Sequence, residues 1–255
     1  MNFAGSTAVV SGGASGLGRA TACRIAAERA NVAILDRSYE AAQAVAAEIG
    51  DAALALEVDV TDGAATEAAI STALHRFGAV HVAVCCAGIA PADRVVSRAG
   101  PASLDVFRNV VDVNLVGTFN VLRLAAAAML ANEPDACGER GVLITTASGA
   151  AFDGQIGQAA YAASKAGVAG MTLPLARDLA GKGIRVNTIA PGLFATPLVA
   201  GMSDDVRESL LDMIPEPRRM GDPAEFADLV VHIVSNKYLN AETIRLDAAM
   251  RMTAR

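Results

Sequence analysis

The chain has 255 residues, of which 53% are apolar, 19% charged and 4% aromatic, and its net charge is -6. The length suits one α/β enzyme domain with a large core, and the acidic balance without a basic run excludes nucleic acid as a main partner, because a phosphate backbone needs clustered Lys and Arg. No apolar stretch approaches the roughly 20 residues of a membrane span and no signal or transit segment is visible, so no membrane association and a cytoplasmic location are expected.

Strands are expected at 7–11, 32–36, 53–58, 81–86, 141–147, 184–190 and 243–246. Most are continuously apolar, as Val32-Ala33-Ile34-Leu35 and Val142-Leu143-Ile144 illustrate, and such runs suit strands covered on both faces. Helices are expected near 17–29, 39–49, 62–77, 103–131, 158–180 and 223–235, the last opened by the capping sequence Asp222-Pro223-Ala224-Glu225. Strands alternating with helices imply an α/β, Rossmann-type doubly wound parallel sheet of about seven strands in a single domain, 1–255. Insertions at 90–102 and 132–141 and the irregular stretch 191–221 are long enough to be functional. Cys23, Cys85, Cys86 and Cys137 form no CxxC pair, and His75, His81 and His232 are scattered. Reduced thiols and no metal site are expected.

The first strand runs into Ser11-Gly12-Gly13-Ala14-Ser15-Gly16-Leu17-Gly18 and then a helix. Glycines let the backbone turn sharply and approach a pyrophosphate, and the helix N-terminus offers free N–H groups. A Gly-rich turn without a ligand would read the same. Asp36, closing the second strand, could accept hydrogen bonds from ribose hydroxyls and repel a 2′-phosphate, which favours NAD over NADP. Arg37 beside it is read as a solvated helix-entry charge. Asp59-Val60 closes the third strand where an adenine would lie, although Asp59 could equally be a strand-end cap.

Tyr161 and Lys165 stand four apart in a helical segment and share a face. A phenol is a poor acid or base near neutrality, and a neighbouring ammonium is expected to lower its pKa, which would suit it to proton transfer. Ser148 follows the fifth strand, at the carboxyl edge where doubly wound sheets bind ligands. Asn114, in the long helix after the fourth strand, could hold a water behind the lysine or could be a satisfied packing residue.

Taken in order, the glycine loop 12–18, Asp59-Val60, Cys86-Ala87-Gly88, Asn114, Ser148, Tyr161-x-x-x-Lys165 and Pro191-Gly192 resemble the short-chain dehydrogenases/reductases over essentially the whole chain. The resemblance implies that Tyr161 is the general acid/base, that Ser148 hydrogen-bonds the reacting oxygen, that Lys165 binds the nicotinamide ribose and tunes Tyr161, and that Asn114 supports a proton relay. It implies NAD contacts from Gly12, Ser15, Gly16, Leu17, Gly18, Asp36, Asp59, Val60, Cys86, Ala87, Gly88, Tyr161, Lys165, Pro191, Gly192, Phe194 and Thr196. Substrate contacts are implied for Ser148, Gln155 and Tyr161.

Segments such as Asp112-Val113-Asn114-Leu115-Val116-Gly117-Thr118-Phe119 and Gly154-Gln155-Ile156-Gly157-Gln158-Ala159-Ala160-Tyr161 resemble one branch in particular, the type 2 3-hydroxyacyl-CoA dehydrogenases. This branch implies an NAD-linked homotetramer that interconverts (S)-3-hydroxyacyl-CoA and 3-oxoacyl-CoA. A hydroxysteroid or other secondary-alcohol dehydrogenase is the second reading, and a catalytically idle NAD-binding scaffold the third. Three departures from the family pattern stand out: Ser11 for the usual Thr, Cys85-Cys86 for Asn-Asn or Asn-Cys, and Asp247-Ala248 for Asp-Gly. Phe194, Leu198, Val199, Met202, Leu210, Leu211, Met213 and Ile214 could form an apolar lid over the substrate, or merely pack. Arg207, Arg218 and Arg219 could meet CoA phosphates.

Overall fold

The computed structural model describes residues 1, 3–200 and 204–254, with side chains described for all of these except 198, 200 and 204–207. Strands β1 (Thr7–Ser11), β2 (Asn31–Asp36), β3 (Ala53–Glu57) and β4 (Val82–Cys85) alternate with helices α1 (Gly16–Ala27), α2 (Tyr39–Ile49) and α3 (Gly63–Phe77). A small antiparallel hairpin, β5 (Val96–Ser97) and β6 (Gly100–Pro101), fills the first insertion. Helix α4 (Leu104–Val111), a π turn at Asp112–Val116 and α5 (Gly117–Leu130) then form one long run. β7 (Gly141–Thr146), a 3₁₀ turn (Gly149–Ala151), α6 (Ala159–Asp178) and β8 (Ile184–Pro191) follow. The chain closes with α7 (Pro197–Ala200), α8 (Asp204–Leu211), α9 (Pro223–Ser235) and β9 (Thr243–Leu246).

Seven strands form one parallel sheet in the order β3-β2-β1-β4-β7-β8-β9. The strand period of two divides the core between its faces. Val10, Ile34 and Ile144 pack on one side under α1 and α9, while Val9, Leu35 and Leu143 pack on the other under α3 and α5. The order reverses between β1 and β4, and the carboxyl ends of these two strands open the crevice where such sheets take ligands.

The expected elements match closely, with three differences. The helix foreseen at 103–131 carries the π turn, a feature that apolar periodicity does not report and that recurs at functional sites. The stretch read as irregular, 191–221, contains α7 and α8, and the first insertion contains the hairpin. The run Leu104–Leu130 is also long and apolar enough to cross a membrane by length and composition alone, contrary to the expectation that nothing approaches that length. Its inner face, Val110, Val121, Leu122, Ala125 and Met129, is buried, as in a core helix. The capping box of α9 is present: Asp222 accepts from Ala224 N at 2.9 Å, and Glu225 accepts from Asp222 N at 2.8 Å.

Candidate active site

A cleft of about 490 Å³ opens at the β1/β4 switch point. Its floor is the glycine loop, and the loop's residue types follow from space. Gly12 has φ +64°, and a Cβ there would lie 2.6 Å from Ala87 N. Gly16 has φ +49° and faces Thr196, where a Cβ would lie 3.3 Å away. A Cβ on Gly18 would strike the Gly12 backbone. The loop is thus pressed against the β4 exit, with the N-terminus of α1 facing the cleft. Such a bare-backbone cradle fits a dinucleotide pyrophosphate.

Gly12, Ser15, Gly16, Leu17 and Gly18 all line this cleft, as do Asp36, Asp59 and Val60. Cys86, Ala87, Gly88 and Thr196 line it too. Asp36 is fixed by two backbone donors, Ala14 N and Ser38 N, each at 3.1 Å, so one carboxylate ties the glycine loop to the second strand. Asp59 is held by Thr61, from N at 2.9 Å and Oγ1 at 2.7 Å, and these donors keep its carboxyl below the usual range. It is therefore a strand-end cap as well as a cleft wall. Arg37 also lines the cleft and acts weakly on Asp59, and it is exposed, in keeping with its reading as a solvated charge.

Pro191, Gly192 and Phe194 do not line the cleft. Gly192 lies against Asp247, donating its N–H to Leu246 O at 2.9 Å. Phe194 is buried in the core, edge-on to Phe226 and against Gly221. An aromatic ring gains more from packing there than from solvent beside the cleft. The cleft also uses Leu35, Val58, Ile89, Val113 and Pro197, none of them foreseen. Leu35 and Val58 precede the two strand-end acids and could have been inferred from that register. Ile89, Val113 and Pro197 carry no motif.

Tyr161 and Lys165, on α6, are not among the residues that line the cleft; Lys165 stands against Gly88 of its wall. Lys165 is 4% exposed and donates to Thr146 O at 2.7 Å. Its Nζ lies 5.8 Å from the centre of the Tyr161 ring and would be 3.5 Å from a Cβ on Gly88. Gly88 thus leaves room for the ammonium at the cleft wall. Ser148, at the N-cap of the 3₁₀ turn, hydrogen-bonds the Tyr161 hydroxyl and accepts from Ala150 N at 3.1 Å. Burial pulls the Lys165 ammonium down to about 8. Burial also pushes the Tyr161 phenol up, against the opposing pull of Ser148. The expectation that Lys165 lowers Tyr161 is corrected here: its ammonium turns to the Thr146 carbonyl, so desolvation governs the phenol.

Asn114 sits in the π turn and is fully buried. Its Oδ1 accepts from Ile89 N at 2.8 Å, and its Nδ2 donates to Ile89 O at 2.9 Å and Ser164 Oγ at 3.1 Å. Both amide protons are spent on protein, as a buried amide requires. The side chain therefore clamps the β4 exit to α6, while the Asn114 backbone carbonyl accepts from Thr118 Oγ1 at 2.7 Å. Cys86 Sγ accepts from Thr146 Oγ1 at 3.6 Å, and burial raises both thiols, Cys85 to about 12 and Cys86 to about 11. Gln155 is half-buried in the loop before α6, with its N–H on Gln158 Oε1 at 3.0 Å.

The lid set divides. Phe194, Val199 and Ile214 are buried, whereas Met202 and the side chains of Leu198 and Arg207 lie outside the described residues. Arg219 pairs with Glu225 at 2.7 Å and Arg218 pairs with Asp212, both at the surface.

Residues 6–207 match the short chain dehydrogenase family model. The chain is 51% identical over 250 residues to the 3-hydroxyacyl-CoA dehydrogenase type-2 proteins of Bos taurus and Homo sapiens, covering 97% of this chain and 96% of each relative. The crystal structure of 3-hydroxyacyl-CoA dehydrogenase type-2 from Mycobacterium avium superposes with a TM-score of 0.95 at 45% identity, covering 98% of both chains. A 3-ketoacyl-(acyl-carrier-protein) reductase from Brucella melitensis, complexed with NADH, superposes with a TM-score of 0.87 at 29% identity, covering 98% of this chain and 100% of that one. The glycine cradle, the Ser148, Tyr161 and Lys165 group and these likenesses agree: the chain belongs to the short chain dehydrogenase family.

Proposed function

We propose that the chain is an NAD-dependent oxidoreductase that interconverts a 3-hydroxyacyl-CoA and the matching 3-oxoacyl-CoA. The observation that carries this is the half-buried Tyr161, with Ser148 at its hydroxyl and Lys165 beside its ring, next to Gly88 of a glycine-cradled cleft. The names of the 51% identical relatives support the substrate class, and the NADH complex of the Brucella reductase supports the cofactor.

Gly12, Gly16 and Gly18 would cradle the pyrophosphate, Asp36 would take the adenosine ribose, and Lys165 the nicotinamide ribose. When bound, the nicotinamide supplies or accepts the hydride. Ser148 Oγ and Tyr161 Oη converge on one substrate oxygen. In reduction the Tyr161 phenol gives its proton to the carbonyl oxygen, and in oxidation its phenolate, formed once the phenol proton has left, takes the hydroxyl proton. Its raised pKa makes it the proton donor at rest, so reduction needs no prior ionisation. Lys165, easily deprotonated, is the group that can replenish the proton. Asn114 holds the β4 exit, at Ile89, to Ser164 of α6.

We read 1–255 as a single catalytic domain, with substrate contacts from Gln155 and the 191–221 stretch. A homotetramer is supported by exposed apolar side chains on neighbouring helices, Leu104, Phe107, Val116, Phe119 and Leu173. Four free thiols suit a reducing, cytoplasmic setting. The test is acetoacetyl-CoA reduction with NADH and NADPH, set against a steroid alcohol panel. Turnover of acetoacetyl-CoA with a strong NADH preference is expected. Brisk steroid oxidation without acyl-CoA turnover would move the substrate to the second reading.

A further inference from the structure

The segment after Ser148 is held by two guanidiniums: Arg245 makes the close contacts, and the more exposed Arg251 donates to Asp247 Oδ2 at 3.1 Å and lies 4.0 Å from Asp153 Oδ2. Arg245, in β9, donates Nη2 to Asp153 Oδ2 at 2.6 Å, Nε to Asp247 Oδ2 at 2.6 Å and Nη2 again to Met250 O at 3.2 Å. Its guanidinium lies 5.1 Å from the centre of the Phe152 ring. A Cβ on Gly149 would sit 3.7 Å from Nη2. Arg245 thus touches three points of the segment between Ser148 and Gln155.

The end of the chain is bound into the same hub. Ala248 and Ala249 have φ +49° and +60°, a left-handed turn that alanine enters only under constraint. The turn sends Met250 into a buried position and brings Ala254 O within 3.2 Å of Ile156 N. Thr253 Oγ1 contacts Met213 Sδ at 3.4 Å, just after α8. Residues 247–254 therefore strap the 191–221 stretch to the loop carrying Gln155.

We infer that Arg245 is a positioning residue for the substrate-binding wall: through Asp153 and the C-terminal strap it sets where Ser148 and Gln155 meet the substrate. This rests on the reading that the 148–156 segment faces the substrate. Neither Arg245 nor Asp153 lines the cofactor cleft, so the wall can shift while cofactor affinity stays the same. A planar fork holding two carboxylates is a role that lysine fills only in part.

The experiment compares Arg245→Gln, Arg245→Lys and Asp153→Asn with wild type, using acetoacetyl-CoA and the short ketone ethyl acetoacetate as probes. NADH affinity is measured alongside. A small displacement of a positioned substrate costs one to two orders of magnitude, so Arg245→Gln is expected to raise KM about tenfold or more for whichever probe wild type reduces. The NADH Kd is expected to stay within about twofold, Arg245→Lys to recover part of the loss, and Arg245→Gln/Asp153→Asn to exceed neither single variant, as a coupled pair requires. An unchanged KM in folded Arg245→Gln, or fully additive effects, overturns the inference. If Arg245→Gln does not fold, Asp153→Asn decides alone, through the same rise in KM at fixed NADH affinity. A wild type that reduces only ethyl acetoacetate overturns the acyl-CoA reading and leaves the positioning test intact.

Discussion

The two halves of the active site are built on different principles. The cofactor half is made of backbone and strand ends: Gly12, Gly16 and Gly18 cede space, and Asp36 and Asp59 are pinned by N–H groups a few residues away or across one strand. The substrate half is made of side chains that meet from distant points of the chain. Arg245 reaches Asp153 across 92 residues, and Asn114 reaches Ser164 across 50. A cradle of the first kind tolerates change in everything except shape. A wall of the second kind depends on charges and hydrogen bonds that any one substitution can release.

The comparison predicts separable failures. Tyr161→Phe should produce the largest effect, because positioned acid/base catalysis contributes about 10²–10⁴-fold. A loss of about a thousandfold in kcat is expected in steady-state assays, with NADH titration unchanged.

Lys165 follows, read as stability. Its folded pKa is about 8 against an ordinary 10.5. The unfolded chain therefore holds more protons between those values, and stability rises with pH across that window. Above about pH 9 the buried Cys85 and Cys86 thiols act in the opposite sense, because their folded pKa values are raised, so the Lys165 contribution is read as a difference. In denaturant titrations wild type should gain stability relative to Lys165→Met as pH rises from about 8, by up to about 3 kcal/mol. Parallel pH profiles of the two proteins would show that Lys165 carries no such shift.

Gly12→Ala comes next. Positive φ and the approach to Ala87 together impose strain of about 2–3 kcal/mol, so NADH affinity should fall by about a hundredfold. Ala248→Gly should have the smallest effect. Relieving one left-handed alanine is worth about 1 kcal/mol, a rise in Tm of about 2–4 °C for a chain of this size. A lower Tm would mean that the turn is not strained.

The same contrast explains what could be read from sequence. Six expected helices and seven sheet strands form because apolar runs and caps are local signals, and Asp222-Pro223-Ala224-Glu225 shows how directly a cap is written. The glycine loop, Asp36, Ser148 and Tyr161-x-x-x-Lys165 are legible because their spacing is itself the chemistry. Illegible were features set by tertiary balance. The π turn at Asp112–Val116 follows from where Asn114 must point. Phe194 packs inward because Gly221 leaves a slot for its ring. Tyr161 is raised rather than lowered because Lys165 finds the Thr146 carbonyl, a contact that no spacing announces. Arg245 and Asp153 carry no motif, and only the fold joins them.

One paired measurement tests the central claim that the pyrophosphate cradle and the proton donor are held by independent structures. Gly12→Ala and Tyr161→Phe are assayed for NADH Kd and for kcat at saturating NADH and acetoacetyl-CoA. The account predicts that Gly12→Ala loses affinity while kcat at saturation stays within about threefold, and that Tyr161→Phe loses kcat while Kd stays within about twofold. Both quantities falling together in either variant would contradict it.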